Sequence, residues 1–321
     1  MSMTPDRNGA GPPARSWLYV PADKPQMLAG AFDRGADALI VDLEDAVLPS
    51  NRASTRRQLA SWLDGLPASK PAPIWVRINA AGPDGQPPVD DLAAAVHPNV
   101  SGVVQAKAQD RSSLERLDAA LVVREQAAGL EPGTLGVAAL VETAAGVLAL
   151  RDLVTSPRVT RLQLGEADLA ASIGMSPSDS GTELLPIRLA TVIVSAAMGL
   201  PPPLGPTSRK LDDEEGLRRS SEALRRLGFG GRSAIHPAQV SIINEAFTPS
   251  EEEVVLARDI LTAAAKAAQS GAAVAVGNDG RMIDEAVVKG ARMIVGLADA
   301  IRGRTRAASA AESSPAWDPY R

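Results

Sequence analysis

The chain has 321 residues, a net charge of -5, no Cys, two His, and only three Phe, four Trp and two Tyr. The missing Cys excludes zinc ribbons, thiol nucleophiles, iron–sulfur clusters and disulfide scaffolds, and with so few His a metal must be held mostly by oxygen, which favours Mg²⁺ or Mn²⁺ over Zn²⁺ or Cu²⁺. No run of Lys and Arg is long enough for a nucleic-acid patch, and no apolar stretch reaches the roughly 18 residues of a membrane span.

Residues 1–14 carry Gly and Pro where a secretory leader needs an apolar core. They predict a disordered N-terminus and a cytoplasmic protein. Short apolar, β-branched runs follow at 16–20 (SWLYV), 38–42 (ALIVD), 74–78 (IWVRI), 102–105 (GVVQ), 136–141 (GVAALV) and 161–164 (RLQL). A weak one lies near 203–204 and the last at 233–235 (SAI). Most are continuous rather than alternating, as strands buried on both faces are. Amphipathic helix patterns separate them at 25–34, 52–65, 113–128, 144–153, 182–198, 214–227 and 237–246. Asp23 before Pro25, and Ser112 with Glu115 three residues on, are helix-start signals. Strict alternation predicts a parallel sheet, and eight units predict a closed (β/α)₈ TIM barrel over residues 15–248. An open doubly wound sheet is the rival, but no Gly-rich dinucleotide fingerprint follows the first strand. Two further helices, 250–268 and 282–300, joined through the turn-rich 271–280, predict a C-terminal helical lid over 249–302, and 303–321 reads as a disordered tail.

In such a barrel, function sits at the C-terminal ends of the strands. The second strand ends in Asp42-Leu43-Glu44-Asp45, the third carries Arg77 and Asn79, and the fourth leads to Lys107. The fifth ends at Glu142 and the sixth at Gly165-Glu166-Ala167-Asp168. Glu142 and Asp168, after consecutive strands, are the best metal pair, since Mg²⁺ takes one or two carboxylates and keeps waters or substrate oxygens elsewhere; the alternative is that both cap the next helices. Asp42, Glu44 and Asp45 divide between the site, pairing with Arg or Lys, and capping, or serve structure alone. Arg77 either pairs with those acids or binds a substrate carboxylate bidentately. His236, before Pro237, reads as structural and His97 as a surface residue, and no Ser/His/Asp triad suggests itself.

The strings RSWLYVPADKP, ADALIVDLEDAV, WVRINA, GVVQAK, ALVETAAGV, LGEADLAASIG, AIHPAQV and the late DGRMID occur in this order from Arg15 to about Leu297. Together they resemble the citrate lyase β-subunit-like family, grouped with malyl-CoA, citramalyl-CoA and HpcH/HpaI-type lyases and aldolases. The resemblance implies a Mg²⁺-dependent barrel, with Mn²⁺ as the alternative ion, that makes or breaks a C–C bond beside a carbonyl. It implies Glu142 and Asp168 as metal ligands and Arg77 as the carboxylate binder, with Asp42, Glu44 and Asp45 beside the metal. It implies Asp284 as the acid/base carried on a C-terminal lid that covers a neighbouring subunit, in a homotrimer or a hexamer built from trimers. Arg15 and Lys24 match the family's basic positions for CoA phosphates, and Lys107, at its basic position after the fourth strand, is expected to bind substrate. The thioester carrier is CoA, with an acyl-carrier protein as the alternative.

The expected reaction is cleavage of a β-hydroxyacyl-CoA such as malyl-CoA, citramalyl-CoA or a citryl thioester to acetyl-CoA and a keto acid, or the reverse. A thioesterase or malate-synthase-like activity is compatible with the same site. The rivals are a CoA-independent 2-keto-acid aldolase and a catalytically silent barrel serving as a binding or assembly protein. Two positions depart from the family pattern: Gln105-Ala106 before Lys107, and Leu204 where an Asp is frequent.

Overall fold

The computed structural model describes residues 13–269, 274–277 and 280–312. The expectations for residues 1–12 and 313–321 therefore lie outside the described residues. Contacts divide the chain into a unit spanning Ala14–Phe247 and another beginning at Thr248.

The first unit is a closed barrel of eight strands in sequence order, all paired in parallel. They are β1 (Ser16–Pro21), β2 (Ala38–Asp42), β3 (Ile74–Ile78), β4 (Gly102–Gln105), β5 (Gly136–Val141), β6 (Val159–Leu164), β7 (Leu204–Gly205) and β8 (Gly231–Ala234). Period-2 alternation sorts each strand between two cores. Leu18, Val20, Leu39, Val41, Val76, Val103 and Val137 pack outward against the helices. Trp17, Ile40, Val104, Ala138, Leu140 and Leu204 fill the interior with Tyr19 and Trp75. Trp17 and Trp75 meet there with ring centroids 5.3 Å apart, so two of the four tryptophans sit in the barrel interior. Leu204, the departure on β7, is fully buried in that interior.

Strand boundaries differ from the sequence reading most at β8 and β6, while β1 and β7 each end one residue later than expected. β8 begins at Gly231 rather than 233, because a side chain at 231 would stand 2.5 Å from the Ala14 carbonyl. Only glycine lets β8 close against the start of β1. β6 begins at Val159, and its pairing with β5 slips between Val137 and Ala138.

Two helices went unread: Val89–Ala95 and Glu166–Ile173. The second starts immediately after β6, so Asp168 lies in a first helical turn rather than at a strand end. The expected helix over 25–34 stops at Ala29, with Gly30 as its C-cap.

The second unit holds the helix Glu251–Gln269, a two-stranded antiparallel hairpin of β9 (Ala275–Val276) and β10 (Met282–Ile283), and the helix Glu285–Glu312. The expected helix from 282 therefore begins three residues later, because Met282 and Ile283 pair with Val276 and Ala275. It also runs past 303, where the Ala-rich sequence has high helix propensity. Ala275, Ile283 and Val288 form this unit's own small core. Among the described residues, no helix is long and apolar enough to cross a membrane.

Candidate active site

Register brings the first pair of site residues together. Asp42 ends β2 and lies directly beside Arg77 on β3. The pair is bidentate, Arg77 Nε donating to Oδ1 at 2.7 Å and Nη2 to Oδ2 at 2.6 Å. The same two oxygens accept from the backbone N–H groups of Glu44 and Ala46, at 3.0 and 3.1 Å. Asp42 thus shapes the turn that carries the other two acids. Arg77 Nη1 lies 2.9 Å from Glu44 Oε2 and 3.2 Å from Asp45 Oδ2. Its guanidinium sits 4.8 Å from the centre of the Tyr19 ring. Of the two roles open to Arg77, pairing with the acids is the one the side-chain geometry displays. It also lines the pocket at the barrel mouth.

Lys107 follows β4 with φ of 50°, the only positive φ outside glycine among the described residues. That costly turn aims the residue in two directions. Its backbone N–H donates to Glu142 Oε1 at 2.9 Å, and its Nζ to Glu44 Oε1 at 2.5 Å. The ammonium expected to meet substrate is committed to Glu44. Burial pushes the Glu44 carboxyl up, while Arg77 and Lys107 pull it down. Gln105, the unusual residue before it, donates Nε2 to the carbonyls of Asn79 and Ala106 at 3.1 and 2.9 Å. It ties two rim loops together.

Glu142 follows β5 with only 2% of its surface exposed. Burial, then repulsion from Glu44 and Asp168, pushes its carboxyl up to about 8, against the stabilising Lys107 N–H. A side chain at Gly165 would stand 2.7 Å from Glu142 Oε2. The glycine therefore leaves the space that this carboxylate occupies. Asp168 is exposed at the mouth, in the first turn of its helix. Its neighbour Glu166 is removed from play by Arg188, which donates to both its oxygens at 2.5 and 2.7 Å. Asp42, Asp45, Arg77, Glu142 and Asp168 all line one pocket of about 460 Å³. Tyr19 and Gln163 lie in the same pocket, joined by a 2.9 Å hydrogen bond. Neither was singled out by the sequence reading, although Tyr19 alternates inward with Trp17 on an otherwise apolar strand.

Among the described residues, no three His, Asp or Glu side chains converge as a closed metal cage. Two carboxylates with an open side match an ion that keeps waters or substrate oxygens. A buried carboxylate raised by like charges is also one that a divalent cation would relieve. The donor set therefore fits Mg²⁺.

Arg15 and Lys24, expected in the site, do not line this pocket, and a third expected residue belongs to the second unit. Arg15 precedes β1 at the N-terminal end of the barrel, opposite the mouth. It donates Nε and Nη2 to Asp37 at 2.7 and 3.0 Å. Its expected place at CoA phosphates is corrected, because a residue before a strand cannot reach the rim after it. Lys24 does lie in the loop after β1, exposed, with Nζ 3.4 Å from Asp23. Asp284 belongs to the second unit, where its Oδ1 accepts from Val287 N–H at 3.0 Å and caps the helix. His236 accepts from Ala238 N–H through Nδ1, and His97 Nε2 contacts Asp64 at 3.2 Å, as structural roles require.

The family model for HpcH/HpaI aldolase/citrate lyase matches residues 15–237, the whole barrel from β1 past β8. The chain belongs to this family. Escherichia coli citrate lyase subunit beta is 29% identical over 286 residues, covering 89% of this chain and 93% of that protein. The L-malyl-CoA/beta-methylmalyl-CoA lyase of Cereibacter sphaeroides is 33% identical over 310 residues, covering 90% and 96%. Among solved structures, CitE of Mycobacterium tuberculosis in complex with magnesium, acetoacetate and coenzyme A aligns with a TM-score of 0.72 and 26% identity. That alignment covers 91% of this chain and 99% of CitE. Membership makes this barrel a carbon–carbon lyase, so the silent-barrel alternative falls away.

Proposed function

We propose that the protein cleaves, or in reverse forms, the C–C bond of a β-hydroxyacyl-CoA bearing a second carboxylate, such as malyl-CoA, citramalyl-CoA or a citryl thioester. The products of cleavage are acetyl-CoA and a keto acid. The observation that carries this reading is the Glu142–Asp168 pair, a buried carboxylate raised to about 8 beside an exposed one in a single pocket. These residues would hold Mg²⁺, with Mn²⁺ as the alternative. When bound, the ion supplies Lewis-acid polarisation and a template for the hydroxy- or keto-acid end of the substrate.

The chain's own groups do the rest. Arg77, fixed by Asp42, Glu44 and Asp45, places positive charge at the pocket wall for the substrate carboxylate. Lys107 aims Glu142 through its backbone N–H. Asp284 moves the proton. In cleavage it protonates the departing thioester enolate at the α-carbon, and in condensation it takes that proton back. Its Oδ2 is left free by the capping bond among the described residues. In a family-like homotrimer or hexamer, this lid would serve a neighbouring copy. Lys24 remains the candidate for CoA phosphates, or for an acyl-carrier protein. A cytoplasmic location suits a CoA-dependent enzyme.

The test is cleavage of malyl-, citramalyl- and citryl-CoA with Mg²⁺ by the wild type, Asp168→Ala and Asp284→Ser. Serine keeps the helix cap. Both variants are expected to lose at least about a hundredfold in rate. Cleavage indifferent to Asp168→Ala would sink the metal assignment. Turnover of free keto acids alone, indifferent to Asp284→Ser, would favour the aldolase. Release of CoA without C–C cleavage would mark a thioesterase.

A further inference from the structure

A census of charge around the pocket leaves one cation without a counterpart. Arg77 is matched by Asp42, Glu44 and Asp45. Lys107 is matched by Glu44, and Arg188 by Glu166. Arg209 also lines the pocket, is exposed, and has no hydrogen bond or ion pair among the described residues. Its neighbour Lys210 is drawn away to Asp179 at 2.8 Å. The loop therefore presents its two cations in different directions, and only Arg209 faces the pocket.

The loop is held there. Arg232 Nε donates to the carbonyl of Pro206 at 2.9 Å, and Gln239 Nε2 to the carbonyl of Ser208 at 2.9 Å. Both donors are buried, Arg232 at 5% and Gln239 at 3% exposure. Gln239 is itself fixed, accepting from Ile235 N–H at 2.9 Å. Pinning residues 206 and 208 leaves Thr207 and Arg209 as the two side chains of this stretch that line the pocket. Thr207 likewise has no hydrogen bond among the described residues, so its hydroxyl is a second donor on the same wall. Preorganised donors on a fixed loop are what ligand recognition needs.

The barrel order sets the span. Arg77 is on β3 and Arg209 follows β7, four strands round an eight-stranded ring. They face each other across the mouth, with the carboxylates after β5 and β6 between them. We propose that Arg209, assisted by Thr207, binds a second anionic oxygen group of the substrate, carboxylate or phosphate, at the end remote from Arg77. A guanidinium forks equally well onto either. The assignment rests on the reading above only for which end of the substrate reaches Arg209.

The test is calorimetric titration of full-length wild type and Arg209→Gln, with Mg²⁺ present, using CoA, pantetheine, citrate and malate. Arg209 has no hydrogen bond or ion pair to lose among the described residues and is exposed, so the variant should fold as the wild type does. Loss of a charge-assisted contact predicts affinity lower by about tenfold to a hundredfold for one anionic ligand. Weaker CoA with unchanged pantetheine identifies a phosphate. Weaker citrate with unchanged malate identifies a distal carboxylate. Arg209→Lys should fall between, keeping the charge without the fork. Affinities for CoA and citrate within about twofold of wild type would overturn the proposal, as would a wild type that binds neither. A wild type that binds these ligands but cleaves no thioester would end the acyl-CoA cleavage reading and leave this assignment standing.

Discussion

Replacing Glu142 by Gln separates what the carboxylate costs the fold from what it gives the site. The amide keeps an oxygen for the Lys107 N–H, 2.9 Å away in the wild type, and removes the charge. The carboxyl is raised from 4.5 to about 8, chiefly by burial and then by Glu44 and Asp168. A folded-state value above the unfolded one means the folded protein holds a proton that the unfolded chain releases. Stability from this group is therefore full below pH 4.5, declines as pH rises, and is gone above about 8. The gap corresponds to something on the order of 5 kcal/mol. Glu142→Gln does not titrate, so without metal it should match the wild type near pH 5 and exceed it increasingly toward pH 9. Groups common to both proteins largely cancel in the difference. Adding Mg²⁺ at a hundred times its Kd should restore about 2.7 kcal/mol to the wild type and nothing to the variant. Urea unfolding across this pH range, with and without Mg²⁺, reads both effects. A variant less stable than the wild type at pH 9 without metal, or stabilised equally by Mg²⁺, would refute the argument.

Arg77→Ala leaves Asp42 buried without its cation and Glu44 with Lys107 alone, and should cost about 3–5 kcal/mol in chemical denaturation; a loss under 1 kcal/mol would mean that the network is not holding the rim. Gly165→Ala puts a methyl group 2.7 Å from Glu142 Oε2 and should weaken Mg²⁺ at least about tenfold by calorimetry, with the barrel still folded by circular dichroism. Lys107→Gly accepts the positive φ and retains the N–H aimed at Glu142, so it should hold Mg²⁺ within about threefold of wild type. Lys107→Val resists that φ and should weaken Mg²⁺ by about tenfold or more; equal affinities in the two variants would show that the turn does not position the ligand.

The barrel could be read from the sequence because each strand is a short apolar run with a turn after it, and the rim acids stand at the ends of those runs. Asp42, Glu44, Asp45, Arg77, Glu142 and Asp168 gather where that logic puts them, around one mouth. The same logic, applied to the other end, removes Arg15, whose position before β1 places it with Asp37 below the barrel. The direction of a side chain after a strand was harder to read. Nothing in GVVQAK announces that Lys107 takes a left-handed turn and gives its ammonium to Glu44. Arg209 was passed over because its loop has no periodicity, and its aim depends on Arg232 and Gln239 from other elements. The hairpin at β10 was missed because an apolar pair before a helical pattern is equally compatible with the helix's own first turn. Asp284 acquires its cap position only once Met282 and Ile283 pair with β9.

The central claim is a metal-dependent C–C cleavage of an acyl-CoA, and product stoichiometry tests it most directly. Wild-type protein incubated with malyl-, citramalyl- or citryl-CoA and Mg²⁺ should release acetyl-CoA and keto acid in equal amounts from at least one of them, and EDTA should stop the release. Release of free CoA and hydroxy acid in place of those products, or turnover unchanged by EDTA, would contradict it.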